Sequence, residues 1–181
     1  MSRQNPTVII ALGGNAISPK NETSDIHAQF AHTKESLDGI MYFVRERYNI
    51  CITHGNGPQV GAELLKNEIT RDKIPSLPLG ILVANTQGAI GYMVQQTLQN
   101  ALKKDDIDRE VVTFISQVKV DKDDPAIKNP TKFIGKTYNE HEAKNLSKEY
   151  GWNVKEQEQG IWRRVVASPV PLYIFNGKSV K

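Results

Sequence analysis

The sequence is poor in cysteine and in long hydrophobic runs. Its single Cys51 cannot form a disulfide within the chain, which excludes the disulfide-rich scaffolds of secreted proteins. The longest apolar runs, residues 8–12 and 81–84, are too short to cross a bilayer. The N-terminus also lacks the charged and apolar regions of a signal peptide. These absences predict a cytoplasmic protein without a membrane partner.

Neither sign of charge dominates. Lys plus Arg number 23 and Asp plus Glu number 20, and the basic residues are scattered among the acidic ones. Because nucleic-acid binding calls for a clustered basic face, we expect no nucleic-acid partner.

The histidines are isolated in the sequence. The two that share a predicted helix, His27 and His32, lie five residues apart on different faces. That spacing is poor for a shared metal, so we predict no metal site.

The common nucleotide-binding and hydrolase motifs are missing or incomplete. The sequence contains neither a P-loop, GxxxxGK[ST], nor a nucleophile elbow, GxSxG. Gly55, Gly57 and Gly61 approach a dinucleotide-binding fingerprint. That fold also requires an acidic residue at a strand end about 20 residues later, where this chain has the loop-like residues 72–75. The dinucleotide interpretation is therefore the weaker one.

What the sequence does contain is a glycine turn between a strand and a helix. Residues 54–61 read HGNGPQVG, after the β-branched run 50–53 and before the helical pattern 60–68. Gly55 and Gly57 can take positive φ and let a ligand approach backbone N–H groups. The following helix points the positive end of its dipole at the same place. The turn is either an anion or phosphate cradle or a connection that merely needs glycine.

A second glycine turn follows the apolar run 8–12, at Gly13, Gly14 and Asn15. A continuous apolar run is typical of a strand covered on both faces, and Cys51, inside a similar run, is expected to be a small core residue. In an open parallel sheet, ligands lie outside the carboxyl ends of the strands. The two glycine turns are therefore predicted to face one site.

The rest of the first hundred residues is mostly helical in pattern. We expect a helix over residues 26–48 with Ser24 as its N-cap. A longer helix is predicted over residues 82–104. It carries a stripe of small residues against which a helix or a backbone can pack closely: Ala84, Gly88 and Gly91.

The pattern changes after residue 104. Residues 110–116 are rich in Val, Phe and Ile and predict a strand. Residues 118–165 predict an excursion from the main sheet, a small hairpin-rich lobe. Within it, residues 139–149 predict a short helix that begins with a capping box between Asn139 and Glu142.

Five segments, taken in order and spacing, carry a resemblance to a known family. They read ALGGNA (11–16), HGNGPQVG (54–61), TQGAIGY (86–92), NPTKFIG (129–135) and WRRVVASPVP (162–171). The combination closely resembles the N-terminal half of carbamate kinases, members of the amino acid kinase family, over residues 7–175.

The resemblance implies an α/β fold, a three-layer αβα sandwich with a mostly parallel sheet and a small excursion lobe. It implies a substrate-binding domain over residues 1–175 with a lid-like lobe at about 118–165, and a link to a nucleotide-binding half starting at 176–181. It further implies a homodimer that transfers a phosphoryl group reversibly between ATP and carbamate with Mg²⁺. In many microbes this reaction makes ATP from carbamoyl phosphate and ADP at the end of arginine fermentation.

By the same resemblance, Lys132 is the catalytic cation that neutralises the transferred phosphoryl group. Many members of the wider superfamily carry a lysine two residues before the glycine pair, where this chain has Ala11. Without the resemblance, Lys132 reads as a solvated surface lysine. The substrate and its phosphate are held by the backbone and amides of the two turns: Gly13, Gly14, Asn15, Gly55, Asn56 and Gly57.

The chain departs from the family pattern at three places. Phe133 and Ala167 stand where the family has proline, and residues 157–161 replace an Asp-Ala-Gly-Arg-Gly run, which bears on the hinge of the lobe. The family's second glycine-rich segment and the lysines that grip ATP are not in the 181 residues. We therefore expect this chain to be inactive alone. The alternative is a non-catalytic carbamate kinase-like module for binding or dimerisation.

Overall fold

A computed structural model describes residues 5–17 and 25–175. Within these residues, the helices are α1 Gly14–Ile17, α2 Ile26–Arg45, α3 Gly57–Ile69, α4 Leu79–Lys104, α5 Pro125–Lys128 and α6 Glu140–Tyr150. The strands are β1 Thr7–Leu12, β2 Asn49–His54, β3 Gln117–Val120, β4 Lys132–Tyr138, β5 Val154–Glu158, β6 Ile161–Val166 and β7 Pro171–Phe175. The fold is α/β, as predicted.

The chain divides into two compact units. The first combines Met1–Asn56 with Gln87–Thr113, and the second combines Gly57–Thr86 with Phe114–Lys181. Helix α4 therefore contributes its first part to the second unit and the rest to the first.

The first unit is built on a parallel pair of strands. β1 and β2 pair in register from Thr7 opposite Asn49 to Leu12 opposite His54. Burial alternates along both strands, so that one face packs on a core and the other is exposed. The core consists mainly of one strand residue and the apolar faces of α2 and α4: Leu12, Ile17, Leu37, Ile40, Met41, Val44, Ile90, Met93, Val94, Leu98 and Leu102.

The exposed face of this strand pair corrects two predictions. Ile9 is 72% exposed. Cys51, which lies directly opposite Ile9 in the register, is exposed as well. The predictions that residues 8–12 are covered on both faces and that Cys51 belongs to the core are wrong. The apolar composition of a strand shows that it avoids water, but it does not show how many of its faces the same stretch of chain covers.

Helix α2 starts at the predicted residue but with a different cap. Asp25 is the N-cap, and its Oδ1 accepts a hydrogen bond of 2.9 Å from the backbone N–H of Ala28. The predicted cap, Ser24, lies outside the described residues. The helix ends at Arg45 rather than at residue 48, because Arg47 takes a left-handed φ of 61°.

Helix α4 confirms the predicted long helix and begins three residues earlier, at Leu79. The close packing predicted for its small residues is present at Gly91. Thr113 Oγ1 donates a hydrogen bond of 3.1 Å to the carbonyl of Gly91. The methyl group of Thr113 occupies the place that a Cβ at Gly91 would take.

The segment after α4 is not the predicted strand. Residues 107–116 have no regular secondary structure, and in the described part of the chain no strand pairs with them. The side chain of Gln99 holds the segment instead. Its Nε2 donates to the carbonyl of Arg109 at 3.0 Å, and its Oε1 accepts from the N–H of Val111 at 3.1 Å. The apolar residues predict an extended conformation but not a partner strand.

The second unit contains two antiparallel sheets. One has the order β4-β6-β5, and the other pairs β3 with β7. A small core joins α3 and the start of α4 to β4: Val60, Leu64, Leu82 and Ile134. The hairpin character predicted for residues 118–165 is visible in β5 and β6, while the description of this stretch as an inserted lobe stays a prediction.

Two local contacts complete the second unit. The capping box of α6 is confirmed, since Asn139 Oδ1 accepts from the N–H of Glu142 and Glu142 Oε2 accepts from the N–H of Asn139. Asn67 closes the loop between α3 and α4 by donating to the carbonyl of Leu77 and accepting from its N–H. None of the helices described is long and apolar enough to cross a membrane.

Candidate active site

The two glycine turns lie side by side in the first unit. Gly13 follows β1 directly and Gly55 follows β2, and these strands are parallel neighbours that end in register. The backbone N–H of Gly55 donates a hydrogen bond of 3.2 Å to the carbonyl of Leu12, which joins the two turns. His54 lies at this edge with its Nδ1 3.3 Å from the carbonyl oxygen of Gly55. The carboxyl ends of both strands therefore present backbone groups at one place.

The glycines serve these turns through their lack of a side chain and not through unusual backbone angles. Neither Gly55 nor Gly57 has a positive φ, so that part of the prediction is wrong. A Cβ added at Gly13 or at Gly57 would meet no atom within 4 Å. At these two positions no described residue requires glycine for space, and the open volume is available to an approaching ligand.

The remaining predicted site residues differ in how fully they are described. Gly14 and Asn15 begin the short helix α1, and the surroundings of the Asn15 side chain lie outside the description. Asn56 follows Gly55 in the first unit, and Gly57 begins α3 in the second. Pro58 occupies the first turn of α3, where its missing N–H leaves no hydrogen bond unmade.

Lys132 is the first residue of β4, in the second unit. Its side chain is exposed. Two residues further on, Ile134 is 3% exposed and packs with Val60 and Leu64 of α3. Lys132 therefore extends from a strand that is anchored on α3, and its ammonium group is accessible to an anionic ligand.

A partly buried charged cluster lies further along α3. Arg164 Nη1 is 3.9 Å from Glu68 Oε1, and the two side chains are 18% and 17% exposed. The guanidinium group lies 4.6 Å from the centre of the Trp152 ring, which in turn contacts the ring of Tyr138. Burial lowers the pKa of Arg164, while Glu68 opposes that shift. Burial likewise raises the pKa of Tyr138.

These contacts fix the direction of β4 relative to α3. Gly61 meets Gly135, while Arg71, just after α3, lies over the ring of Tyr150. The Tyr150 ring contacts Trp152, which contacts Tyr138 at the other end of β4. The helix and the strand therefore run side by side in the same direction. Lys132, at the start of β4, lies toward the end of the helix at which Gly57 exposes free N–H groups.

The described residues offer no obvious site for a metal ion. Within residues 5–17 and 25–175, no group of three or more His, Cys, Asp or Glu side chains is arranged to hold one. No chemical step below is assigned to the Mg²⁺ that the resemblance implies.

Comparison with known proteins identifies the relatives of this arrangement. No model of a known protein family matches the chain. A carbamate kinase from Pyrococcus horikoshii is 46% identical over 166 residues, which make up 91% of this chain and 53% of the relative. The chain is homologous to carbamate kinases. It spans about half the length of the carbamate kinases it matches.

Solved carbamate kinase structures show the same fold. The enzyme from Giardia lamblia bound to citric acid matches with a TM-score of 0.88 and 38% identity, over 94% of this chain and 55% of that one. The same enzyme bound to AMP-PNP matches with a TM-score of 0.80 and 38% identity, over 94% of this chain and 54% of that one. The recognition made from the five sequence segments is confirmed.

Sequence reasoning missed three residues that anchor β4: Gly61, Gly135 and Arg163. Each belongs to one of the segments that carried the resemblance. Gly61 was considered only as part of a dinucleotide-binding pattern, and Gly135 and Arg163 were given no role. The available signal was the pairing of a glycine in a helical pattern with a glycine in a strand pattern, since an isolated glycine in either marks a close backbone approach. The sequence alone could not show that these two glycines approach each other.

Proposed function

We propose that the chain is the substrate-binding half of a carbamate kinase-type phosphotransferase, which acts on carbamate or carbamoyl phosphate. The observation that carries this proposal is the pair of hydrogen-bonded glycine turns at the ends of β1 and β2, in a chain homologous to carbamate kinases. We also propose that the complete fold is a three-layer αβα sandwich around a mostly parallel sheet.

The chemistry assigned to these residues is electrostatic. Phosphoryl transfer needs positioning and charge stabilisation more than covalent catalysis. Backbone N–H groups of the turns at Gly13–Asn15 and Gly55–Gly57 donate hydrogen bonds to the oxygens of the substrate and the moving phosphoryl group. The N-terminus of α3 adds a positive partial charge. Lys132 supplies the full positive charge.

The nucleotide belongs to the remainder of the proposed enzyme. ATP or ADP would bind there with Mg²⁺, and the 181 residues contribute the acceptor side. One of the related structures contains AMP-PNP, which supports nucleotide use by this group of proteins.

We further propose that the protein is a cytoplasmic homodimer that serves arginine fermentation. Tyr92 of α4 is exposed and provides a position at which to test the dimer. Replacing Tyr92 with glutamate should shift sedimentation toward the monomer.

Phosphate binding tests the proposed site directly. Gly57→Ala adds a methyl group that meets none of the described residues, so folding is preserved while the approach of an anion is obstructed. Titration of inorganic phosphate, followed by amide NMR, should shift Gly13 and Gly55 in the wild type and require markedly more phosphate in Gly57→Ala. Gly80→Ala, in the first turn of α4 and equally free of contacts, is the matched control.

The outcomes separate the two functional interpretations. Phosphate shifts at the turns, weakened by Gly57→Ala and unaffected by Gly80→Ala, support a substrate site. If phosphate and carbamoyl phosphate leave the spectra of the wild type unchanged, the substrate-binding role is wrong, and the non-catalytic module becomes the better description.

A further inference from the structure

Helix α3 and strand β4 touch backbone to backbone at a single point. Gly61 is buried in the helix, and a Cβ built on it would overlap the Cα and N atoms of Gly135. Gly135 takes a φ of 72°, a left-handed conformation that glycine adopts without strain. Each glycine therefore has a specific reason to be there: Gly61 for space, and Gly135 for its backbone angle.

The contact coincides with an irregularity in the sheet. β4 pairs regularly with β6 from Lys132 opposite Val166 to Ile134 opposite Arg164, and then the register shifts before Tyr138. Gly135 lies at the start of that shift. An extra length of strand at such a bulge bends the chain and redirects the side chains beside it.

Arg163, in the neighbouring strand β6, binds the backbone of β4 at this irregularity. Its Nη2 donates a hydrogen bond of 2.5 Å to the carbonyl of Gly135, and its Nη1 donates one of 3.1 Å to Gln157 of β5. A charge-assisted bond to a bulged carbonyl is stronger than a neutral one. Gly135 is thus held by α3 on one side and by β6 on the other.

We propose that Gly61, Gly135 and Arg163 form a positioning device that sets Lys132 at a fixed place relative to the N-terminus of α3. Gly57 precedes Gly61 by one helical turn, about 6 Å. Lys132 precedes Gly135 by three strand residues, about 10 Å. The meaning of that placement rests on the proposed function, in which the N-terminus of α3 and Lys132 act on the same phosphoryl group.

The device keeps Lys132 at a constant position relative to α3. A lysine on a freely hinged lobe would vary its position independently of the helix. A lysine two residues from a buried Ile134 and three from the Gly61–Gly135 contact moves with the helix. The residues that anchor it are positioning residues, because none of them needs to touch the substrate.

A distance measurement tests the device without any ligand. A nitroxide attached at Ala62→Cys, in a Cys51→Ser background, marks α3, and ¹³C-dimethylated Lys132 reports its distance through paramagnetic relaxation. Lys132→Arg identifies the signal. We expect the relaxation at Lys132 to fall several-fold in Gly61→Ala, because the added methyl group forces β4 away from α3. Gly80→Ala, which meets no atom within 4 Å, should leave it unchanged.

If Gly61→Ala does not fold, additional variants test whether Gly135 and Arg163 position Lys132. Arg163→Ala removes the donor to Gly135 and should reduce the relaxation at Lys132, whereas Arg163→Lys should restore part of it. Gly135→Ala fits sterically, with its nearest contact at 3.6 Å, but strains the left-handed φ, and Gly135→Asn should be tolerated better. Folded variants at Gly61 and Arg163 that keep the wild-type relaxation would overturn the proposal.

Phosphate provides the second measurement on the same signal. In the wild type, added inorganic phosphate should shift the Lys132 methyl resonance, and the anchoring variants should need several-fold more phosphate for the same shift. If the relaxation result holds but phosphate does not shift Lys132, the positioning device stands and the catalytic role assigned to Lys132 is wrong.

Discussion

Replacing Gly91 with alanine should destabilise the chain, although alanine is the better helix former. Gly91 lies in the interior of α4, where alanine is favoured by about 1 kcal/mol. A Cβ there would overlap Thr113 Cγ2 and approach Thr113 Oγ1 to 3.2 Å and Cβ to 3.3 Å. Overpacking of this kind costs about 1–3 kcal/mol. The balance is a net loss of up to about 2 kcal/mol in the free energy of unfolding.

Thr113→Ser is the change that should relieve the overlap. It removes Cγ2 and keeps the hydroxyl that donates to the carbonyl of Gly91. The contacts that remain need a shift of only a few tenths of an ångström. In the Thr113→Ser background, Gly91→Ala should therefore be close to neutral. Urea denaturation of the four proteins, followed by circular dichroism, should give a coupling energy of about 1–2 kcal/mol.

Gly39→Ala provides the control for helix propensity. Gly39 lies inside α2, and a Cβ there would meet no atom within 4 Å. This substitution should stabilise the chain by up to about 1 kcal/mol. The reasoning is refuted if Gly91→Ala stabilises as much as Gly39→Ala. It is also refuted if the loss is equally large with serine at position 113.

Three further predictions concern catalysis, acid stability and helix capping. A polypeptide of residues 1–181 should not transfer a phosphoryl group from carbamoyl phosphate to ADP. Fused to the remaining half of the Pyrococcus horikoshii relative it should do so, with a loss on the order of 10³-fold on Lys132→Ala; turnover by the unfused chain would contradict this. The backbone N–H groups of Val170 and Ala126 lower the pKa of the Asp124 carboxyl below its ordinary 3.8. Its stabilising contribution is therefore present above that value and lost as the pH falls through the lowered pKa. Asp124→Asn should flatten the acid side of the stability curve, measured by urea denaturation at each pH, and an unchanged curve would count against it. Asn139→Ala should cost about 1 kcal/mol in the free energy of unfolding by removing the cap of α6, and a loss near zero would show that the box contributes little.

Local sequence patterns were sufficient for elements whose stability is local. The long helix α4 follows from apolar residues that recur every four positions or so, and the capping box of α6 follows from Asn139 and Glu142 alone. The parallel pairing of β1 with β2 was also predictable, because both runs end in a glycine turn. These features depend on neighbours within a few residues or on a general rule of sheets.

Features that depend on distant partners could not be predicted in the same way. Residues 110–116 have the composition of a strand, yet Gln99 holds part of the segment and no described strand pairs with it. Cys51 has apolar neighbours, yet its own face of β2 is exposed. The contact of Gly61 with Gly135 joins residues 74 positions apart, and neither local pattern contains the other.

The side-chain amides of Asn67 and Gln99, which each hold a loop, have a consequence for the chemical stability of the protein during prolonged heating. Asn67 holds Leu77, and Gln99 holds Arg109 and Val111, each with one donated and one accepted bond. Asparagine and glutamine are thermolabile. Deamidation to a carboxylate keeps the acceptor but replaces the donor with a second acceptor, which then faces a carbonyl oxygen. Chemical damage at either side chain would therefore turn one hydrogen bond into a repulsion and release a whole segment, while the helix that carries the side chain stays intact.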